Sequence, residues 1–216
     1  VDDTRPPVDD DPSPKTAPHI HHNRVTHGRG GGIAVIGPLA QPSIRQNHVT
    51  DNACSGFFIE RGAGPTIHGC EVARCRGGGF LVTGKGSGGH ISECDIHSNE
   101  DRDIFVSEEA QPRFEKNAVY GGTGYAVVVC YNGSGMFVEN TISGYADHCI
   151  VIRNAGDGRF QKNVIDYGAH HAILVYDRGR GIFEGNTLKG ENEELAFTTR
   201  TGGKPVIKQN VFQKIA

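Results

Sequence analysis

Asp101, Arg102, Asp103, Asp147, His148, His170 and His171 are the residues whose types and spacing could do chemistry in this chain. They sit seven and eight residues after a recurring anchor, in the pairs Asp101/Arg102, Gly124/Tyr125, Asp147/His148, His170/His171 and Glu193/Glu194, with Asp103 extending the set. If equivalent positions stack, the pairs make one column, and Asp147 with the histidines could bind a sugar, a metal or a partner, or exchange protons near neutral pH. A solvated turn is filled by the same residue types. No residue is therefore assigned a catalytic role, and no metal or cofactor is expected. His19 and His21 flank Ile20 and should point away from it, as surface residues of the first repeat. The six cysteines, at 54, 70, 75, 94, 130 and 149, form no CxxC metal pattern, and reduced thiols in an intracellular, cytoplasmic setting are expected.

The element that must position these residues is a repeat. The phrases PHIHHNRV, PSIRQNHV, PTIHGCEV, GHISECDI, PRFEKNAV, GMFVENTI, GRFQKNVI, GIFEGNTL and PVIKQNVF recur through the chain. Their anchors are Asn23, Asn47, Cys70, Cys94, Asn117, Asn140, Asn163, Asn186 and Asn210, so successive steps are 23 or 24 residues. An apolar residue lies three before each anchor and another two after it. Ten and twelve residues after it comes an alternating pair such as Phe57/Ile59, Val127/Val129 or Ile173/Val175. Period-two alternation in short runs means strands, and Pro or Gly five residues before each anchor punctuates a turn. Leucine-rich repeats need a Leu-rich consensus, and propeller blades need longer periods.

The pattern predicts an all-β fold: a right-handed, single-stranded parallel β-helix of about nine coils over residues 18–216, stacked ~4.8 Å apart. The anchors should form a ladder of asparagine amides at a bend, with Cys70 and Cys94 as unmodified thiols on adjacent rungs. In the eighth coil Leu195 and Phe197 read as arriving one residue early, and TTRTGGK lengthens the return, so a bulge or loop is expected there. The chain stops at QNVFQKIA with Phe212 and Ile215 still apolar, so a cap is expected there from further sequence, a neighbouring molecule or the tail itself.

A second column is apolar where polar residues belong. Between the inward pair of each strand lie Ala34, Phe58, Leu81, Phe105, Val128, Val151 and Leu174, an outward stripe expected to be exposed. The six larger members are the candidates for contact with a protein partner, since a contiguous apolar patch usually marks an interaction surface. Strand propensity alone would also select Val, Leu and Phe at such positions.

Composition narrows the partners. The formal charge of −3 arises wholly in residues 1–17, an acidic Pro-rich leader with five Asp against one Arg and one Lys, read as disordered. The remaining chain balances 20 acids against 20 bases, which offers no long-range field for nucleic acid. No apolar run approaches the ~20 residues of a membrane span, and no signal peptide is legible.

The phrase P-x-I-x-x-N-x-V, followed by Gly and an I-x-V strand, resembles the CASH-type, pectate-lyase-like β-helix repeats over residues 18–215. The resemblance is closest to the β-helical substrate-receptor region of an F-box ubiquitin-ligase subunit, although this chain carries no F-box motif. Lyases, hydrolases, epimerases and scaffolds share this fold. Enzymes of the resembled family wall their clefts with long loops, which coils of 23 or 24 residues leave no room for. The expectation is a non-enzymatic protein-interaction module or scaffold, with a carbohydrate-binding or carbohydrate-processing β-helix as the alternative and a self-associating structural unit as the third reading.

Overall fold

The computed structural model describes residues 17–215, so the leader read over 1–17 lies, but for Ala17, outside the described residues. The chain winds as expected into a right-handed parallel β-helix of 26 short strands in three sheets. The first sheet stacks nine strands from His19–His21 to Lys204–Lys208. The second stacks nine from Arg24–Thr26 to Val211–Lys214, and the third eight from Ile33–Ile36 to Phe197–Thr199. Every pairing is parallel and joins equivalent positions of consecutive coils. Among the described residues the sole helical element is a one-turn 3₁₀ segment at Glu193–Leu195, and no helix is long and apolar enough to cross a membrane.

Like stacks on like inside. Ile44, Ile67, Ile91, Phe114, Phe137, Phe160 and Phe183 form one buried column in the first sheet, and their registers pair each with the next. Phe137 lies between Phe114 and Phe160, with ring centroids 5.5 and 4.5 Å away and planes within 4° of parallel. Offset stacking of this kind adds to the area term of burial.

The first corner shows why the coil length is fixed. The residue before each anchor turns into the left-handed region, among them His22, Gln46, Glu93, Lys116, Glu139 and Lys162 at φ of 51–55°. That conformation costs a non-glycine residue about 1–2 kcal/mol. The anchor offsets it. Asn140 accepts from the backbone N–H of Asn117 at 2.9 Å and from its Nδ2 at 3.0 Å. Its own Nδ2 donates to Asn163 Oδ1 at 3.0 Å and to the Phe114 carbonyl at 3.0 Å. Asn163, Asn186 and Asn210 continue the ladder. At Cys70 sulfur takes the amide's place, accepting from the Asn47 N–H at 3.4 Å, while the Cys94 N–H donates to Asn117 Oδ1 at 2.9 Å. All six cysteines are free thiols.

A second corner ladder follows five residues after the anchors and was not read from the sequence. Asn52 Oδ1 accepts from the Gly28 N–H, Asn99 Oδ1 accepts from the Cys75 N–H, and their amides donate to Val25 and Val72 carbonyls. Its corner residues Asp51, Arg74 and Ser98 are also left-handed.

Two expectations are corrected. The eighth coil holds one extra residue before its third strand instead of arriving early. Asn192 caps the turn by accepting from the Glu194 N–H, the turn absorbs Leu195, and Phe197 pairs with Ile173. The described tail does not fold across the end of the core, because Val211–Lys214 forms an ordinary rung while Ile207 and Val211 stay 48% and 60% exposed.

Truncating Phe137 to Ala opens a cavity between two stacked rings and should cost ~3–5 kcal/mol in chemical denaturation. Asn140→Leu should cost about 3 kcal/mol despite adding apolar surface. It leaves the Asn117 donors without an acceptor and Asn163 Oδ1 and the Phe114 carbonyl each short of a donor, all of them buried. A melt of Asn140→Leu that overlays the parent would refute the ladder's structural role.

Candidate functional site

The outer face of the third sheet gathers both sets of candidates. Three columns of side chains run along it, parallel to the axis. The middle column is the apolar stripe, with Phe58, Leu81, Phe105, Val128, Val151 and Leu174 in register from coil to coil. On one side lie Gly31, Ser55, Gly78, Arg102, Tyr125, His148 and His171. On the other lie Cys130, Arg153, Tyr176 and Arg200 in the last four coils.

The stripe is exposed in only one half, which corrects the expectation of a continuous exposed surface. Val128, Val151 and Leu174 are 2%, 3% and 8% exposed and form a small outer core with Cys130. Phe105, Tyr125 and Tyr176 pack against it, so the flanking columns close over the middle one. The Arg102 guanidinium lies over the Phe105 ring, 4.3 Å from its centroid, and is held there by Asp101 at 2.6 Å.

In the first coils the same middle column stays open because its flank is small. Gly78 has φ +102°, and a Cβ there would meet the Arg102 carbonyl oxygen at 2.3 Å, so no side chain can stand at that point. Gly31 is similar: a Cβ would meet the Ser55 carbonyl oxygen at 2.8 Å. The result is a cleft of about 390 Å³ with Gly30, Gly31 and Gly32 as one wall, Cys54 and Ser55 beside them, and Ile33, Ala34, Phe58 and Leu81 as an apolar lining. The exposed thiol of Cys54 belongs to this cleft.

The polar candidates separate. His148 is buried, with Nδ1 on the Asp147 carboxylate at 2.5 Å, its ring stacked on His171 at 4.8 Å, and its Nε2 without a hydrogen-bond partner. Burial holds its pKa below the ordinary imidazole value, against the pull of Asp147. Burial works against the Asp147 charge, yet the hydrogen bond to His148 keeps its carboxyl below the usual range. His171 stands next in the same column, with Thr198 Oγ1 3.4 Å from its Nδ1. His170 does not join them. It is exposed and lines a separate shallow pocket with Ser143, Tyr145, Asp166 and Tyr167. Among the described residues no group of three His, Cys, Asp or Glu side chains could hold a metal ion.

Asp103 is the clearest departure from the predicted column. A kink at the start of the strand turns it inward, where it is fully buried. There its carboxylate accepts from Asn99 Nδ2 and from the Tyr145 hydroxyl, which reaches it from two coils away. Gly122 makes the reach possible, since a Cβ there would meet Asp103 Oδ2 at 2.4 Å. Burial raises the Asp103 pKa to about 6, the two hydrogen bonds notwithstanding.

The family model described as the right-handed β-helix region matches residues 14–157. No curated protein matches the chain. Among solved structures, the TibC-catalyzed hyper-glycosylated TibA55-350 fragment aligns at 14% identity over 91% of this chain and 98% of that one. Its TM-score of 0.16 carries no argument about shape or role.

Asp103 generates a pH prediction. Its folded pKa of about 6 lies above the ~3.9 of an unfolded Asp, so the folded state binds more protons between these values. Its contribution to stability should therefore be present below pH ~4 and lost as pH rises through 6, a loss of about 2–3 kcal/mol. Asp103→Asn should flatten that slope in denaturation midpoints measured across pH 4–7. An unchanged slope would remove Asp103 as its source.

Proposed function

This chain belongs to the right-handed β-helix family, and from that premise we propose that it is a non-enzymatic interaction module whose third-sheet face receives a protein partner. The observation that carries the reading is the open apolar cleft over Ala34, Phe58 and Leu81. A rigid stack can offer that surface with no rearrangement on binding. Burying Phe58 and Leu81 under a partner would contribute ~1.5–3 kcal/mol each if fully covered. The resemblance to the substrate-receptor β-helix of an F-box ubiquitin-ligase subunit supports a receptor role. Five buried thiols that pack as small apolar groups support a reducing, intracellular setting.

One observation favours a carbohydrate ligand instead. His148 Nε2 is buried beside an aromatic and imidazole column with no hydrogen-bond partner, a group that a sugar hydroxyl would satisfy once the column parts to admit it. The third reading, self-association, has its support in the exposed apolar side chains of Val206, Ile207 and Val211 on the last coil.

The double variant Phe58→Ser/Leu81→Ser decides between them. Both side chains are on the outer face and only half-buried, so the melting temperature should stay close to the parent's. Partner capture, quantified against the parent by co-precipitation, should fall about tenfold or more, as for loss of an interface anchor. Retained capture would move the protein interface off this cleft, and glycan-array binding abolished by Asp147→Asn/His148→Ala but untouched by the double variant would replace this reading with the carbohydrate one. Concentration-dependent association seen by sedimentation and lost in the double variant would assign the cleft to a second copy.

A further inference from the structure

Of the six cysteines, Cys70 and Cys94 are the two that stand at equivalent positions of consecutive coils, and their thiols are in contact. The ladder aims donors at the first of them. Where an asparagine oxygen stands on other rungs, Cys70 sulfur receives the Asn47 N–H at 3.4 Å, the Asn47 Nδ2 at 3.9 Å and the Cys94 S–H. A neutral thiol is a weak acceptor and a thiolate a strong one, so this setting favours the charged form. The Cys94 hydrogen bond, helped by those of Asn47, carries the Cys70 pKa below the ordinary thiol value against the pull of burial. Cys75 is the internal comparison. It is as deeply buried and receives the equivalent Asn52 amide at 3.8 Å, but its adjacent rungs are asparagines that offer no S–H, and burial raises its pKa. The corner residue over Cys70 is Gly69, so no side chain covers the turn there, and a Cβ would find only Gln46 Cγ within 4 Å, at 3.7 Å.

We propose that Cys70 and Cys94 are a reversible oxidation site for small peroxides, with Cys70 as the nucleophile and Cys94 as the thiol that resolves it into a disulfide. The Cys70 thiolate attacks one peroxide oxygen and the O–O bond breaks. The leaving alkoxide or hydroxide picks up the proton that Cys70 gave up, and Cys70 is left as the sulfenic acid. Cys94 then attacks that sulfur, the S–O bond breaks, and the hydroxide departs as water with the Cys94 proton. Each sulfur has lost one electron, and the O–O bond has taken both. Two equivalents of a small monothiol reverse the link by thiol–disulfide exchange. Coils ~4.8 Å apart hold equivalent Cβ atoms further apart than the ~3.5–4.5 Å of a relaxed disulfide, so the bond is strained and readily reduced. While it lasts, it ties the third coil, which brings Leu81 to the cleft, to the fourth.

The test is a small excess of hydrogen peroxide on the full chain at neutral pH, followed by thiol blocking and peptide mapping without reduction. The unaltered chain should yield one intramolecular cross-link, between the peptides of Cys70 and Cys94, and a monothiol should undo it. Cys70 should be consumed about tenfold faster than the equally buried Cys75. Cys94→Asn, which returns an amide to the rung, should stop at a Cys70 sulfenic acid that dimedone traps, and Cys70→Asn should leave Cys94 unoxidised. A Cys70 no faster than Cys75, an intramolecular disulfide between any other pair, or a link that forms only after unfolding in urea would overturn the proposal. Mapping of the unaltered chain decides these outcomes even if a variant fails to fold.

Discussion

The structure depends on one exchange made at every coil. A left-handed residue is forced into the first corner so that the chain can turn sharply between two sheets, and an asparagine amide makes that turn stable by bonding to the coils on either side. Because the amides of Asn140, Asn163 and Asn186 each accept two hydrogen bonds and donate two, none of these rungs can shift without stranding buried groups on its neighbours. The anchors therefore fix the register, the register stacks like side chains on like, and the core follows as columns of identical rings and branched aliphatics. Where sulfur replaces the amide at Cys70 and Cys94, the bonds are longer but the register is kept, and the contact between the two thiols, with burial, holds Cys94 above its ordinary pKa.

That hierarchy explains what could be read from the sequence. The Asn anchors, the inward columns and the parallel stack were legible because each depends on a residue's own type at a fixed step. The second corner ladder had the same signature, in Asn52, Cys75 and Asn99, but it is interrupted by Gly28 and Gly122 and so fell below notice. Exposure of the apolar stripe was not legible, because whether Val128 or Leu81 sees solvent is decided by the neighbouring column. Tyr125 and Tyr176 cover the first, while beside the second Gly78 leaves the flank bare. Asp103 was misjudged for a related reason. The kink at the start of its strand breaks the two-residue alternation, so inward and outward cannot be counted from the residues that follow.

The third-sheet face thus illustrates how a uniform scaffold acquires local character. Its floor is of one kind from end to end, and variation is confined to the flanks: small where backbone crowds in, aromatic and cationic where space allows. Such a division lets specificity change without touching the core columns.

The bond between Tyr145 and Asp103 has a consequence for how this repeat array can evolve. Nearly every other contact joins adjacent coils, so a whole repeat could be duplicated or lost there, lengthening or shortening the rod in units of one coil. The tyrosine instead reaches across an intervening coil that must carry Gly122. Duplicating or deleting that coil would tear the hydroxyl from its carboxylate and leave a buried acid with one fewer donor. The middle of the solenoid is thereby locked in repeat number, and growth by tandem duplication is confined to the coils outside it.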